Sequence, residues 1–146
     1  MGSGEDLEGV TDDRQWVAAF GDGIAYMSVR NLAVAAGSGN FHLSKTSDAG
    51  RTWHAQVIGD VTQSGPLAID KQKRSVVVNG TAKDAILLYQ LYYTGGTLRV
   101  IRVTDFNDGT PYIIDDLTIG TPGGPVDTVF PVLAVDKAGN LYVVWS

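Results

Sequence analysis

Two histidines, His42 and His54, are the only side chains of their type in the chain, and they flank one polar turn. Imidazole is the commonest zinc ligand after thiolate, but a zinc site needs three or four ligands, and the chain has no cysteine to complete one. No metal or cofactor is therefore expected. Tyr89, Tyr92 and Tyr93 are residue types that stack on sugar rings, although in a β-rich chain they more often pack between strands. Asp12-Asp13-Arg14-Gln15-Trp16 crowds two carboxylates, a guanidinium and an indole into five residues. The plain reading of Asp13 and Arg14 is a surface ion pair or a strand cap. Asp105-Phe106-Asn107-Asp108-Gly109 has the oxygen donors of a calcium loop, but it lacks the EF-hand spacing and a downstream Glu. No phosphate-cradling glycine loop, nucleotide fingerprint or Ser-His-Asp pattern is present.

The elements that must hold these residues are strands. Hydrophobic residues make up 44% of the 146 positions, charged residues 18%, and there are 18 glycines, a composition of short strands and tight turns. No window has a helical period. Val17–Phe20 and Ile24–Val29 flank Gly21-Asp22-Gly23 and read as a hairpin. The pattern recurs as 67–70 with 75–78, and as 133–136 with 141–145. Aligning Ala18, Ala68 and Ala134 gives spacings of 50 and 66 residues. Repeats of that order, each of about four strands, predict consecutive β-propeller blades. The runs 86–93 and 98–103 flank Thr94-Gly95-Gly96 as a further hairpin, and which run supplies the second strand of its blade is left open.

The organisation expected is a lead-in over 1–12, then a partial propeller over 13–146 in units 13–60, 66–120 and 130–146. That is all-β, about two and a half four-stranded antiparallel blades where a closed ring needs roughly four to eight. An open blade exposes a strand edge, so missing blades of a parent chain, or a homo-oligomer, are expected to cover it. The net charge is −5, with no Lys/Arg run, which excludes an electrostatic footprint for nucleic acid. No apolar run reaches the ~20 residues of a membrane span, and the first residues carry no signal-peptide pattern.

Thr46-Ser47-Asp48-Ala49-Gly50-Arg51-Thr52-Trp53 fits Ser/Thr-x-Asp-x-Gly-x-Thr-Trp. Each position has a physical task. Asp48 accepts from turn amides, Gly50 takes positive φ, Thr46 and Thr52 bond across the turn, and Trp53 buries a ring. A degenerate copy has Asn107 for the aspartate, keeps Gly109 and Tyr112, and places its glycine 59 residues after Gly50. This segment resembles the Asp-box (BNR repeat) of sialidase-like β-propellers, in which the motif is structural. The Asp-Arg-x-Trp run over Asp13, Arg14 and Trp16 resembles a segment of secreted bacterial members.

The resemblance implies a secreted or cell-surface exo-glycosidase acting on terminal acidic sugars. Three arginines would hold the substrate carboxylate, a Tyr assisted by Glu would be the nucleophile, and an Asp the acid/base. The site lies on the face opposite the Asp-box turns. Carried onto this chain, Arg14 and Arg30 are two candidate arginines, Asp13 or Asp12 the acid, Trp16 a binding residue, and Asp127 a further candidate at that face. The usual Phe/Tyr-Arg-Ile-Pro setting is absent, and the only glutamates are Glu5 and Glu8. Two alternatives follow: a non-catalytic propeller that binds glycan or protein, or a partial propeller that self-assembles into a ring.

Overall fold

The computed structural model describes residues 12–35, 37–94, 97–120 and 131–145. Among them the chain is all-β, with antiparallel pairing throughout. Three sheets stack in chain order. The first is β1 (Asp12–Gly21), β2 (Ile24–Asn31), β3 (Phe41–Thr46) and β4 (His54–Gly59), paired consecutively. The Gly21-Asp22-Gly23 hairpin forms as expected, with Gly21 opposite Ile24 and positive φ at Asp22 and Gly23.

The second sheet departs from expectation. Its path is β5 (Gln63–Ile69), β7 (Thr81–Thr94), β8 (Thr97–Asp105), β9 (Ile113–Gly120), with β6 (Arg74–Val78) on β7 alone. The expected hairpin of 67–70 with 75–78 therefore does not form; both segments pair with β7. Two local features explain this. Asn79 and Gly80 both have positive φ and close a two-residue turn between Val78 and Thr81, which commits β6 to β7. Asp70 then accepts from the Gln72 amide at 2.9 Å and from Arg74 Nε at 2.5 Å, bending the chain out of β5 before β6 begins. β7 is the second strand of the path, and its first five residues, up to Ala85, extend beyond the sheet as an arm with β6.

The third sheet is the hairpin β10 (Val132–Val135) and β11 (Leu141–Val144). Asp136 caps its turn, accepting from the Ala138 and Asn140 amides at 2.9 Å each.

The middle sheet is covered on both faces. Ile86, Leu88, Tyr92, Ile101 and Val103 pack against Tyr26, Phe41 and Leu43 of the first sheet. On the other face Tyr89, Leu91, Leu98 and Val100 meet Leu133, Val135 and Leu141 of the third. Strands buried on both sides lose their alternation, which is why 86–93 reads as one continuous apolar run. The first strands of the three sheets adjoin, β5 lying against β1 and against β10. Arg74 fastens the last two sheets, donating through Nη2 to the Lys137 carbonyl at 2.8 Å.

Candidate functional site

Antiparallel order gives the stack two ends. At one end lie the turns after β1, β3, β8 and β10; at the other lie the start of β1, the end of β2, and the starts of β5 and β10.

At the first end Thr46 Oγ1 donates to Asp48 Oδ1 at 2.8 Å and accepts from the Gly50 amide at 2.9 Å. Asp48 also accepts from the Thr52 amide at 2.9 Å and from the Thr52 hydroxyl at 2.7 Å. These bonds, those of Thr52 foremost, hold the Asp48 carboxyl down at about 2. Gly50 takes φ +86° and Trp53 is half-buried. The turn docks on its neighbour through the Ala49 amide, which donates to the Gly23 carbonyl at 3.0 Å.

The second turn is built differently. Its positive φ values fall at Asn107 and Gly109, and Asp108 does the capping, accepting from the Thr110 amide at 3.0 Å and hydroxyl at 2.6 Å. Asn107 instead accepts from Lys45 Nζ of the first sheet at 2.7 Å. Asp105 is buried, accepting from the Tyr26 hydroxyl at 2.6 Å and pairing with Lys45 Nζ at 2.6 Å. Its carboxylate is thus satisfied by a cation of the protein itself, which leaves the calcium-loop reading without a ligand set. His42 and His54 point to opposite faces of the first sheet, since His42 pairs with Val57 and His54 with Lys45. They cannot share a metal. No group of three His, Cys, Asp or Glu able to hold one occurs among the described residues.

The opposite end gathers the expected site residues. β1 carries a bulge between Asp13 and Trp16, and inside it Arg14 adopts φ 55°. A non-glycine residue there is strained, and such strain concentrates at functional positions. The bulge turns Arg14 towards the start of β5. With the Gln63 amide oxygen facing it, both Arg14 Nη groups donate, at 3.0 and 3.1 Å. Together with Ser64, Tyr92, Tyr93 and Pro131 these residues line a cavity of about 10 Å³, room for roughly one water. Arg30 lies opposite Asp13 in the β1–β2 register, and Trp16 opposite Ser28. So Asp13, Arg14, Trp16 and Arg30 share one end of one sheet. Asp127, Glu5 and Glu8 lie outside the described residues.

Tyr92 is the tyrosine nearest this end with an acidic partner. Its hydroxyl donates to Asp116 at 2.8 Å, and Arg99 makes a two-pronged contact with the same carboxylate at 3.0 and 2.8 Å. Burial, then the Asp116 bond, push Tyr92 up to about 12, away from tyrosinate. It is held as a hydrogen-bond donor rather than as a nucleophile.

Sequence reasoning missed a second organiser of this end. Asp60 Oδ1 accepts from the Gly37, Gly39 and Asn40 amides at 3.0, 2.9 and 3.1 Å, and these bonds lower its pKa. Buried Asn40 exchanges two hydrogen bonds with the Val61 main chain, at 3.0 and 2.9 Å. The Gly37-Ser38-Gly39-Asn40 run was the available signal, since it offers free amides that a nearby carboxylate can collect.

No protein-family model, curated protein or solved structure matches the chain.

Proposed function

We propose that this chain is part of a sialidase-like β-propeller, secreted or at the cell surface, that recognises terminal acidic sugars at the end carrying Arg14. One observation carries the reading. β1, β5 and β10 are the first strands of three successive sheets, β5 lies against both others, and a strained arginine near the start of β1 meets Gln63 at the start of β5. That is how propeller blades surround an axis, and an arginine fork suits a carboxylate. The hydrogen-bonded turn at Asp48 adds support. Hydrolysis is expected of a complete ring that supplies a third arginine and a Tyr/Glu pair.

N-acetylneuraminic acid titrated into the ¹⁵N-labelled chain should shift the amides of Arg14, Trp16 and Gln63, and R14A should abolish those shifts. Absence of any shift at this end in the unsubstituted chain would refute the reading. A fluorogenic sialoside given to a complete ring then separates an enzyme from a non-catalytic binder.

A second reading, assembly of several copies into a ring, is favoured by the two outer faces of the stack. Val17 and Val57 are exposed on the first sheet, and Val132, Tyr142 and Val144 on the third. A second copy placed head to tail would continue the face-to-face stacking already present inside the chain. Light scattering coupled to size exclusion decides: a discrete oligomer supports it, a monomer at high concentration rejects it.

A further inference from the structure

We infer that the cleft between the first and second sheets, beside the 106–112 turn, binds a neutral pyranose, separately from the Arg14 end. The cleft measures about 330 Å³ and is lined by Lys45, His54, Gln56, Asp105, Thr110 and Tyr112. That volume is in the range of small-ligand sites, which run from about 300 Å³. Its charge is already balanced, because the one carboxylate, Asp105, is paired with the one ammonium, Lys45, at 2.6 Å. A net charge on the ligand would meet no complement, so hydroxyls are the groups the cleft suits.

The lining has the chemistry to receive them. Lys45 uses two of its three protons, on Asp105 and Asn107, and keeps one. Gln56 offers an amide and His54 a ring, both donor and acceptor, on the same face of edge strand β4. Tyr112 contributes an aromatic surface packed from behind against the core. The base is rigid: Tyr26, Asp105 and Lys45 are locked together across the two sheets. Few polar groups, fixed in place beside an aromatic ring, are what orient a small polyhydroxylated ligand.

The test is a titration of the intact ¹⁵N-labelled chain with the methyl glycosides of glucose, galactose and mannose, and with N-acetylneuraminic acid as the anionic comparator. At least one neutral pyranoside is expected to give saturable shifts at Lys45, His54, Gln56, Thr110 and Tyr112. H54A and Q56A, both on an edge strand and outside the core, should each weaken it about 10-fold, as for the loss of one hydrogen bond. R14A should leave it unchanged, so the result stands apart from the fate of the acidic-sugar reading. The inference is overturned if none of the three neutral glycosides saturates, if H54A and Q56A bind as well as the parent, or if only the anion shifts these amides.

Discussion

The Tyr26 hydroxyl donates to the Asp105 carboxylate at 2.6 Å across a separation of 79 residues, joining the second strand of the first sheet to the end of β8 in the second. Both side chains are buried, and Lys45 sits over the Tyr26 ring with its Nζ 5.8 Å from the centroid. Burial, then the Asp105 bond, raise the Tyr26 pKa well above the ordinary phenol, so the donor keeps its proton. The contact joins the Lys45 bonds to Asp105 and Asn107 in one polar tie between the first two sheets.

Y26F should therefore destabilise the fold by about 2 kcal/mol, the range for a lost hydrogen bond to a charged group. Urea unfolding followed by circular dichroism measures it. A change within experimental error would show that Lys45 and the Asn107 amide suffice to satisfy Asp105.

Acid should loosen the turns before the sheets. Asp48 and Asp108 both titrate in the fold at about 2, below the ordinary 3.8. A depressed carboxyl contributes stability that is complete above its unfolded value and drains away as pH falls through the folded one. The melting temperature should thus fall between about pH 4 and pH 2. D48A should melt lower at neutral pH and lose less on acidification; a parallel acid response in D48A and the parent would contradict this.

Backbone strain at Arg14 predicts an inversion of the usual glycine penalty. R14A and R14G remove the same guanidinium, but only glycine accepts φ 55° without steric cost. R14G should be more stable than R14A by about 1 kcal/mol. Denaturant midpoints of the two variants compare them directly.

Two turn glycines should differ in how badly they tolerate a methyl group. Gly80 has φ +79° with nothing near a Cβ, whereas at Gly23, φ +76°, a Cβ would lie 3.1 Å from the Ala49 amide nitrogen. G80A should cost the strain alone, about 1 kcal/mol. G23A should cost more and also disturb the Asp48 turn, seen as shifted Thr46 and Thr52 amides. Equal losses would mean that the two turns do not press on each other.

Much of the local structure was legible in the sequence, because turn residues announce themselves. Gly21-Asp22-Gly23, the 46–53 turn and Asp136–Asn140 each hold their conformation through nearby atoms. The pairing of β5 with β7 was not legible. The apolar run at 86–93 is buried on both faces and lacks the alternation that would set its face and partner. Asn79-Gly80 held the clue, since it closes the arm that removes β6 from the expected hairpin. At the candidate site, residue types and their shared end could be read from strand order. The Arg14 bulge and its Gln63 partner could not, because both depend on packing between two sheets. The Tyr26–Asp105 bond and the cleft above it are of the same kind, made by residues whose neighbours in sequence say nothing of each other.

The double coverage of the middle sheet also sets an order of opening. Amide hydrogens of Leu88, Gln90, Ile101 and Val103 can reach solvent only when the cover on one face is lifted and the β7–β8 ladder parts. Those of β4 and β11 lie on strands with one open edge. Deuterium should therefore enter from the two outside sheets inwards, leaving the β7–β8 ladder as the clock that records global unfolding.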